Sequence, residues 1–593
     1  MPDQKNLMMA IVLSVVIVVA FQMFYEMPRR EAELALQQQQ AEQAGPEPGS
    51  RTAGQVTGQG TTPLAPGGAA GTVATPAASA DEAATESRAE AVKSAPRVAI
   101  DSARLSGSIS LKGGRIDDLI LKDYRVTIEP GSPNISLLSP VGAPHPYYAE
   151  FGWVAPQGTT IKLPDKDTVW RADSSVLSEQ EPLTLSWDNG QGLVFTRTIA
   201  VDRDYMFTIT QTVRNTGTRA VTLYPFGLVS RHGKPKTLGY YILHEGMLGV
   251  FDEKLEEVDY DDVEEAGRLS RESSAGWIGI TDKYWMVALL PDQHQHFGAN
   301  FWHFDRDGDK YQVDFVRDEV TIQPGAVATV DDRLFAGAKE VAVIDGYDEN
   351  LGIKLFDRAI DWGWFFFLTK PMFQAVSFFH RILGNFGLAI ILLTVCVKIL
   401  FLPLAHKSYV SMSRMKTLQP QMLKLREQYG EDRQALNQEM MKLYKREKVN
   451  PVSGCLPILL QVPVFFALYK TLFVTIEMRQ APFYGWIKDL SAPDPTSVFN
   501  LFGLIPFDPP QFLMIGAFPL AMGISMWLQQ KLNPQPPDPV QAKIMMFMPI
   551  MFIFLLARFP AGLVIYWTCN NMLSIAQQWF ILKRVTAAKP AKT

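Results

Sequence analysis

Hydrophobic and polar positions change rhythm several times along the chain, and each change marks a different kind of element. Residues 7–25 form a nearly unbroken apolar run of about 19, long enough to cross a hydrocarbon core of ~30 Å. The run passes the small-residue site Val18-Val19-Ala20 and continues through Phe21, Met23, Phe24 and Tyr25. An uncleaved membrane anchor over 1–30 is therefore expected rather than a removed signal peptide. Residues 31–96 are rich in Gln, Ala, Gly, Pro, Thr and Ser and poor in branched and aromatic side chains. Such a stretch buries too little surface to offset its ordering entropy, and it reads as a disordered tether with a short helical start at Glu31–Gln43.

From 97 to 350 the period shortens to two. Leu193-Val-Phe-Thr-Arg-Thr-Ile-Ala, Tyr205-Met-Phe-Thr-Ile-Thr-Gln-Thr-Val and Tyr311-Gln-Val-Asp-Phe-Val alternate apolar with polar positions. Turn clusters separate such runs at Lys112-Gly-Gly-Arg, Asp188-Asn-Gly-Gln and Arg306-Asp-Gly-Asp. This spacing predicts a large antiparallel β-sandwich. The acidic run Asp252–Glu265 is expected to be a solvated loop.

After 350 the apolar runs lengthen. Residues 360–380 combine Trp362, Trp364, Phe365, Phe366, Phe367, Phe373, Phe378 and Phe379 with a break at Lys370-Pro371, which suits a helix lying in a bilayer interface. Spans are predicted at about 386–404, 456–474, 512–532, 544–559 and 562–582, making six with the anchor. Between the first two of these five, Met412, Met415, Leu418, Met422, Leu425 and Tyr429, then Leu436, Met440 and Leu443, recur at helical spacing around Gly430-Glu-Asp. That predicts a helical hairpin over 405–453. The hairpin is either a spacer or a methionine-rich face adaptable to varied apolar partners.

Composition adds an asymmetry. Of 593 residues, 47% are hydrophobic and 20% charged. Residues 97–350 carry about 25 basic and 39 acidic side chains, whereas 351–593 carry about 25 and 12. No basic surface dominates the whole chain, so specific nucleic-acid binding is not expected. The three cysteines, Cys396, Cys455 and Cys569, all lie in apolar stretches, which argues against a disulfide framework or a cysteine zinc site. The segment 405–453 holds about ten Lys and Arg, and the C-terminal tail holds Lys583, Arg584, Lys589 and Lys592. Loop 475–511 has Arg479 and Lys488 against Glu477, Asp489, Asp494 and Asp508. By the positive-inside rule both termini and the hairpin face the cytoplasm, and residues 31–350 lie outside.

Lys398 carries the most chemistry. It sits inside Ile390-Ile-Leu-Leu-Thr-Val-Cys-Val-Lys-Ile-Leu-Phe-Leu, about 9 Å within a span that ends at Leu404. An unpaired cation there is costly unless it faces water or a partner. It either snorkels to the headgroups or acts as a cationic attractor in a water-filled intramembrane cavity, with Thr394 one turn away on the same face. Gln461, Gln529, Gln530, Asn570, Asn571, Gln577 and Gln578 either line that cavity or hydrogen-bond helix to helix, and Tyr566 and Trp567 either face it or pack. Walker A, nucleophile-elbow, His-Glu-x-x-His and Rossmann motifs are missing from the sequence, so no enzyme chemistry or cofactor is expected. His294-Gln-His296 has a metal-like spacing that strand alternation also produces.

Several stretches of the core resemble the YidC/Oxa/Alb family of membrane protein insertases. They are Gly384-Asn-Phe-Gly-Leu-Ala-Ile-Ile-Leu-Leu-Thr, Ser411-Met-Ser-Arg-Met-Lys-Thr-Leu-Gln-Pro, Gln438-Glu-Met-Met-Lys-Leu-Tyr, Lys448-Val-Asn-Pro-Val-Ser-Gly-Cys-Leu-Pro, Arg479-Gln-Ala-Pro-Phe and Phe559-Pro-Ala-Gly-Leu-Val-Ile-Tyr-Trp. The anchor, tether and sandwich before them are similar to the Gram-negative bacterial type, whose extracytoplasmic domain is galactose-mutarotase-like. The resemblance implies a five-span core over 351–593 that encloses a hydrophilic groove, open to cytoplasm and lipid. Its basic residue, usually Arg, falls at Lys398, which keeps the charge without the bidentate guanidinium. Thr394 and Trp567 fall where that groove contacts substrate. The implied partners are nascent membrane proteins, the Sec translocon with its accessory subunits, membrane lipids and, through this short tail, a weak ribosome contact. The hairpin and loop 533–543 would serve substrate capture. Insertion then needs no ATP and no covalent step. Two other readings compete: a membrane-tethered periplasmic carbohydrate-binding or mutarotase-like protein, and a solute transporter, which would show internal repeats.

Overall fold

In the computed structural model the backbone is described at residues 87–237, 243–305, 308–430, 432–447, 449, 456–507, 509–510, 513–533 and 539–587. Within those ranges the side chains of 433, 456–460, 539–541, 582 and 585–587 are not described. The expected anchor, nearly all of the tether, the turn at 306–307, residues 450–455, most of loop 533–543 and the tail from 588 lie outside the described residues.

Alternation in sequence becomes alternation in burial. Along Leu193–Val201 buried and half-exposed residues take strict turns, because successive side chains leave opposite faces of a strand. Eleven of the described strands form one sheet and nine the other. The strand Val221–His232 pairs in the larger sheet with Tyr147–Val154 and Lys310–Arg317, and Val327–Ala338 pairs in the smaller with Met206–Asn215 and Trp285–Leu290. Pairing is antiparallel with one exception: Ala99–Ile100 lies parallel to Val176–Leu177. Parallel neighbours need a long connection rather than a hairpin, and here more than 70 intervening residues supply it. Both inner faces feed one apolar core, with Phe251 of the smaller sheet edge-on to Phe301 of the larger at 6.0 Å. The Lys112–Arg115 turn is made by Gly113 and Gly114, at φ +75° and +64°, values that side chains rarely adopt.

The acidic run Asp252–Glu265 is not the solvated loop expected. It forms the edge strand Lys254–Val258 and the helix Tyr260–Ala266, because Val258, Tyr260 and Val263 are buried and anchor one side of each element.

The described α-helices are α1 (Arg88–Ala91), α2 (Tyr260–Ala266), α3 (Val341–Leu351), α4 (Phe366–Leu383), α5 (Phe386–Leu400), α6 (Leu402–Tyr429), α7 (Arg433–Arg446), α8 (Leu456–Val474), α9 (Ala517–Leu532), α10 (Pro539–Leu556) and α11 (Ala561–Ala587). Residues 539–547 of α10 belong to a separate unit, and the packing below concerns the remainder. Several expected boundaries move. Lys370-Pro371 does not break its helix: Pro371 lies within α4, and Lys370 donates to Asp345 at 2.9 Å and Asp357 at 3.1 Å. Gly384, at φ +66°, ends α4, and Asn385 caps α5 by accepting from Leu388 N at 3.1 Å.

The span expected at 386–404 stops at Leu400 and bends by 66° into α6, with Pro403 in the first turn beyond, where it needs no hydrogen-bonded N–H. The helix expected from 512 begins at Ala517 because Asp494 caps it, accepting from Phe518 N at 2.9 Å. Among the described residues no single helix is long and apolar enough to cross a membrane, whereas α5 and α6 as one bent pair are.

Candidate functional site

Polar chemistry in the helical region gathers along α11. Tyr566, Asn570, Ser574 and Gln577 recur there at i, i+4, i+8 and i+11, which puts them on one face over about 17 Å of helix. One end of this row meets α8, where Gln461 Nε2 donates to Tyr566 Oη. The other end meets α5. Lys398 Nζ donates to Ser574 Oγ at 2.8 Å, Ser574 Oγ donates to Asn570 O at 2.8 Å, and Gln577 Nε2 donates to Lys398 O at 3.3 Å. Tyr409 of α6 also hydrogen-bonds Ser574. A hydroxyl has one proton to give and two lone pairs to fill, so Ser574, itself buried, is a saturated node joining three helices.

Lys398 sits two residues from the end of α5, closer to a helix terminus than an unbroken span to Leu404 would place it. That position favours a cation, since the last carbonyls of a helix are unsatisfied and carry partial negative charge. Among the described residues no carboxylate acts on it. Thr394, one turn earlier, is buried and its hydroxyl donates back to Ile390 O at 2.7 Å. Its donor is therefore spent within its own helix.

The remaining expected residues divide. Asn571, buried, donates to Ser525 Oγ of α9 at 3.1 Å. Gln578, seven residues on, donates to Asn533 Oδ1 at 3.2 Å, so a second polar row on α11 faces α9. Trp567 packs edge-on to Phe465 at 4.7 Å and against Phe552 at 5.4 Å. The structure thus joins Lys398, Gln461 and Tyr566 to one row and puts Asn571 and Trp567 into other contacts. Ser574 and Tyr409 complete the site and were missed by sequence reasoning. The spacing Asn570–Ser574–Gln577 was the available signal for the first; nothing local marks the second.

Two features complement the rows. Three buried polar atoms here have no partner: Asn570 Oδ1, Gln578 Oε1 and Gln530 Nε2. Such atoms are costly without water or a ligand group. Meanwhile Ile524, Leu528, Met572, Trp579 and Phe580 of α9 and α11 are exposed. Polar groups inside and large apolar side chains outside is the reverse of the arrangement water selects.

In the hairpin of α6 and α7, Met422 is buried with Leu418, Leu443 and Val449, and Met415 and Met440 pack against that cluster. These methionines fill the seam between the helices rather than a free outer face; Met412, half-buried, lies outside the cluster. Opposite, the loop after α8 grips the sandwich. Arg479 Nη2 donates to Arg125 O at 2.5 Å, Gln480 Nε2 donates to the same oxygen at 3.2 Å, and Glu477 Oε1 accepts from Val341 N, the first amide of α3, at 2.9 Å. Burial pushes the Glu477 carboxyl up to about 7. His296, one of the two histidines with metal-like spacing, lies between Glu272 at 3.2 Å and Asp318 at 3.0 Å.

Comparison with known proteins agrees with this division into sandwich and helical core. Residues 97–375 match the family described as YidC periplasmic domain, and residues 378–589 match the one described as 60Kd inner membrane protein. The membrane protein insertase YidC of Bradyrhizobium diazoefficiens is 52% identical over 603 residues, covering 98% of this chain and 97% of its own. That of Nitrobacter hamburgensis is 51% identical over 602 residues, covering 98% and 96%. A solved galactose mutarotase-like protein from Lactobacillus casei overlaps 41% of this chain and 100% of its own at a TM-score of 0.29 and 10% identity, a likeness that carries no argument. With both regions matched in order and relatives about half identical from end to end, the chain belongs to the YidC family of membrane protein insertases.

Proposed function

We propose that the protein inserts nascent membrane proteins into the inner membrane by holding their polar flanks along the α11 rows while their apolar segments pass into lipid. The observation that carries this is the combination of Lys398 with the orphaned Asn570 Oδ1 on one polar row, in helices whose outer faces are apolar. Water or client polar groups at that row lower the cost of carrying charge to membrane depth. Burial of ~20 apolar residues in lipid then makes insertion favourable without ATP. The membrane potential adds about 2.3 kcal/mol per acidic charge per 100 mV. No bond is made or broken, so the protein is an insertase and chaperone rather than an enzyme.

In this reading there are six spans, both termini are cytoplasmic and the sandwich is periplasmic. The grip of Glu477, Arg479 and Gln480 on the sandwich supports that sidedness, since it puts loop 475–511 and the sandwich at the same end of α8. Domains follow the sequence boundaries: anchor 1–30, tether 31–96, sandwich 97–350 and core 351–593. The hairpin, with a polarizable methionine seam able to repack, receives clients, and the Sec translocon and ribosome are partners at the same face. Thr394, Gln461, Tyr566, Trp567 and Asn571 line or support the groove around Lys398.

The test is insertion of a small single-span client with an acidic outer tail after depletion of the native protein. Lys398→Glu and Lys398→Ala should both fail and Lys398→Arg should work. Normal insertion by Lys398→Glu and Lys398→Ala at normal abundance would remove the charge from the mechanism.

A further inference from the structure

Where the sandwich meets the core helices, away from the α11 rows, lies a cavity of about 870 Å³. The edge strand Lys254–Val258 and the start of α2 form one wall; residues 358–365 and the last turns of α8 form the other. This volume falls within the ~300–1,000 Å³ range of ligand sites. One part of its lining is aromatic: Trp364, Phe365 and Phe466 are 74%, 45% and 46% exposed.

The polar part carries both signs, and most of its charges are spoken for. Lys470 pairs with Asp361 at 2.6 Å, Lys234 with Glu264 at 2.9 Å, and His244 lies between Asp259 Oδ1 at 3.1 Å and Met247 O at 2.8 Å. Two charges are left over. Glu257 feels His244 and Lys470 only through space, and enclosure by protein holds its carboxyl above the ordinary range. Arg358 has its neighbour Asp357 at 3.6 Å and the Phe366 ring at 3.9 Å, and its Nε is buried without a partner.

We propose that this cavity binds the headgroup of a phosphatidylethanolamine, its ammonium facing Glu257, its phosphate facing Arg358 and its first acyl carbons lying over Trp364, Phe365 and Phe466. The assignment follows from charge complementarity. One open carboxylate and one open guanidinium in the same cavity match the two charges of a single zwitterion. An anionic headgroup would leave Glu257 opposed, and a quaternary ammonium would offer it no N–H donor. Exposed aromatic side chains beside the charges suit the boundary between headgroups and chains. The proposal rests on the functional reading above, which puts this end of α8 in the outer leaflet. It also gives the sandwich a part to play, fixing a lipid against the core.

Native mass spectrometry of the purified full chain tests it, with dioleoyl phosphatidylethanolamine, phosphatidylglycerol and phosphatidylcholine added in turn. Phosphatidylethanolamine should bind saturably and at least tenfold more tightly than either other lipid. Glu257→Gln and Arg358→Gln should each weaken it tenfold or more while the lipid-free unfolding temperature stays at the parent value. Arg358→Lys should restore part of the loss. Equal binding of phosphatidylglycerol, or undiminished binding in Glu257→Gln, overturns the proposal. Competition by glycerophosphoethanolamine, which has the headgroup without chains, would make the ligand a soluble one and overturn the lipid assignment. Insertion by the Lys398 variants is read separately: dependence on Lys398 without lipid binding would sink this cavity and leave the insertase reading standing.

Discussion

Ser574→Ala is the substitution that most directly separates a bonded lysine from a water-solvated one. Ser574 is buried, and its hydroxyl accepts from Lys398 Nζ at 2.8 Å and also hydrogen-bonds Tyr409. Removing one oxygen leaves shape and backbone nearly unchanged. A hydrogen bond to a charged group contributes about 1.5–3 kcal/mol and a neutral one about 1. Alanine returns roughly 0.5 kcal/mol of helix propensity over serine. A net loss of about 2–3 kcal/mol is therefore expected if protein alone solvates the ammonium.

The assay is a double-mutant cycle with Lys398→Met, read by denaturant unfolding in micelles. Coupling of about 1.5 kcal/mol or more is expected. If the two substitutions add to within about 0.5 kcal/mol, the ammonium takes its solvation from water and the node described here is not what holds it. Insertion gives a second readout. Ser574→Ala keeps the charge and should keep insertion of an acidic-tailed client, which Lys398→Met should lose. Equal loss in both would mean that charge alone is not the working part.

Three further outcomes are expected. The Glu477 carboxyl, held at about 7 against an ordinary 4.5, keeps a proton that the unfolded chain has released. The folded junction should therefore lose stability as pH rises from about 4.5 to about 7 and level off above, by at most about 3 kcal/mol; Glu477→Gln, which still accepts from Val341 N, should flatten that slope, and an unchanged slope would point to another group. Asp494→Ala should destabilise by about 3 kcal/mol or more, because buried Asp494 accepts from Trp486 Nε1, Thr496 N and Phe518 N; an unfolding midpoint within a degree of the parent would show the cap to be dispensable. Gly387→Ala should cost about 1–3 kcal/mol, since a Cβ there would stand 2.1 Å from the Phe483 ring, and a neutral result in the same unfolding measurement would mean that the loop carrying Phe483 yields.

The two-sheet sandwich was legible because strand burial has a period of two that local sequence displays directly, as in Leu193–Val201. The helical core was legible because apolar runs near twenty residues are rare in water-soluble folds. Boundaries were less so. α9 starts at Ala517 rather than 512 because its cap, Asp494, is more than twenty residues upstream. The acidic run looked solvated because three buried side chains, Val258, Tyr260 and Val263, were outnumbered by charges.

Lys398 announced itself in sequence, since a cation in an apolar run is costly wherever the fold puts it. What it meets was decided elsewhere. Ser574 and Tyr409 lie on other helices, and a hydroxyl far along the chain carries no local sign of the ammonium it will accept. The hairpin methionines likewise showed their helical spacing in sequence but not which side of the pair they would fill. Sequence by itself determined the family, the class of each segment and the charge at the site, because these depend on short-range period and composition. Tertiary structure alone decided which polar groups are satisfied, which are orphaned and which cavity collects leftover charges, because satisfaction is a relation between distant residues.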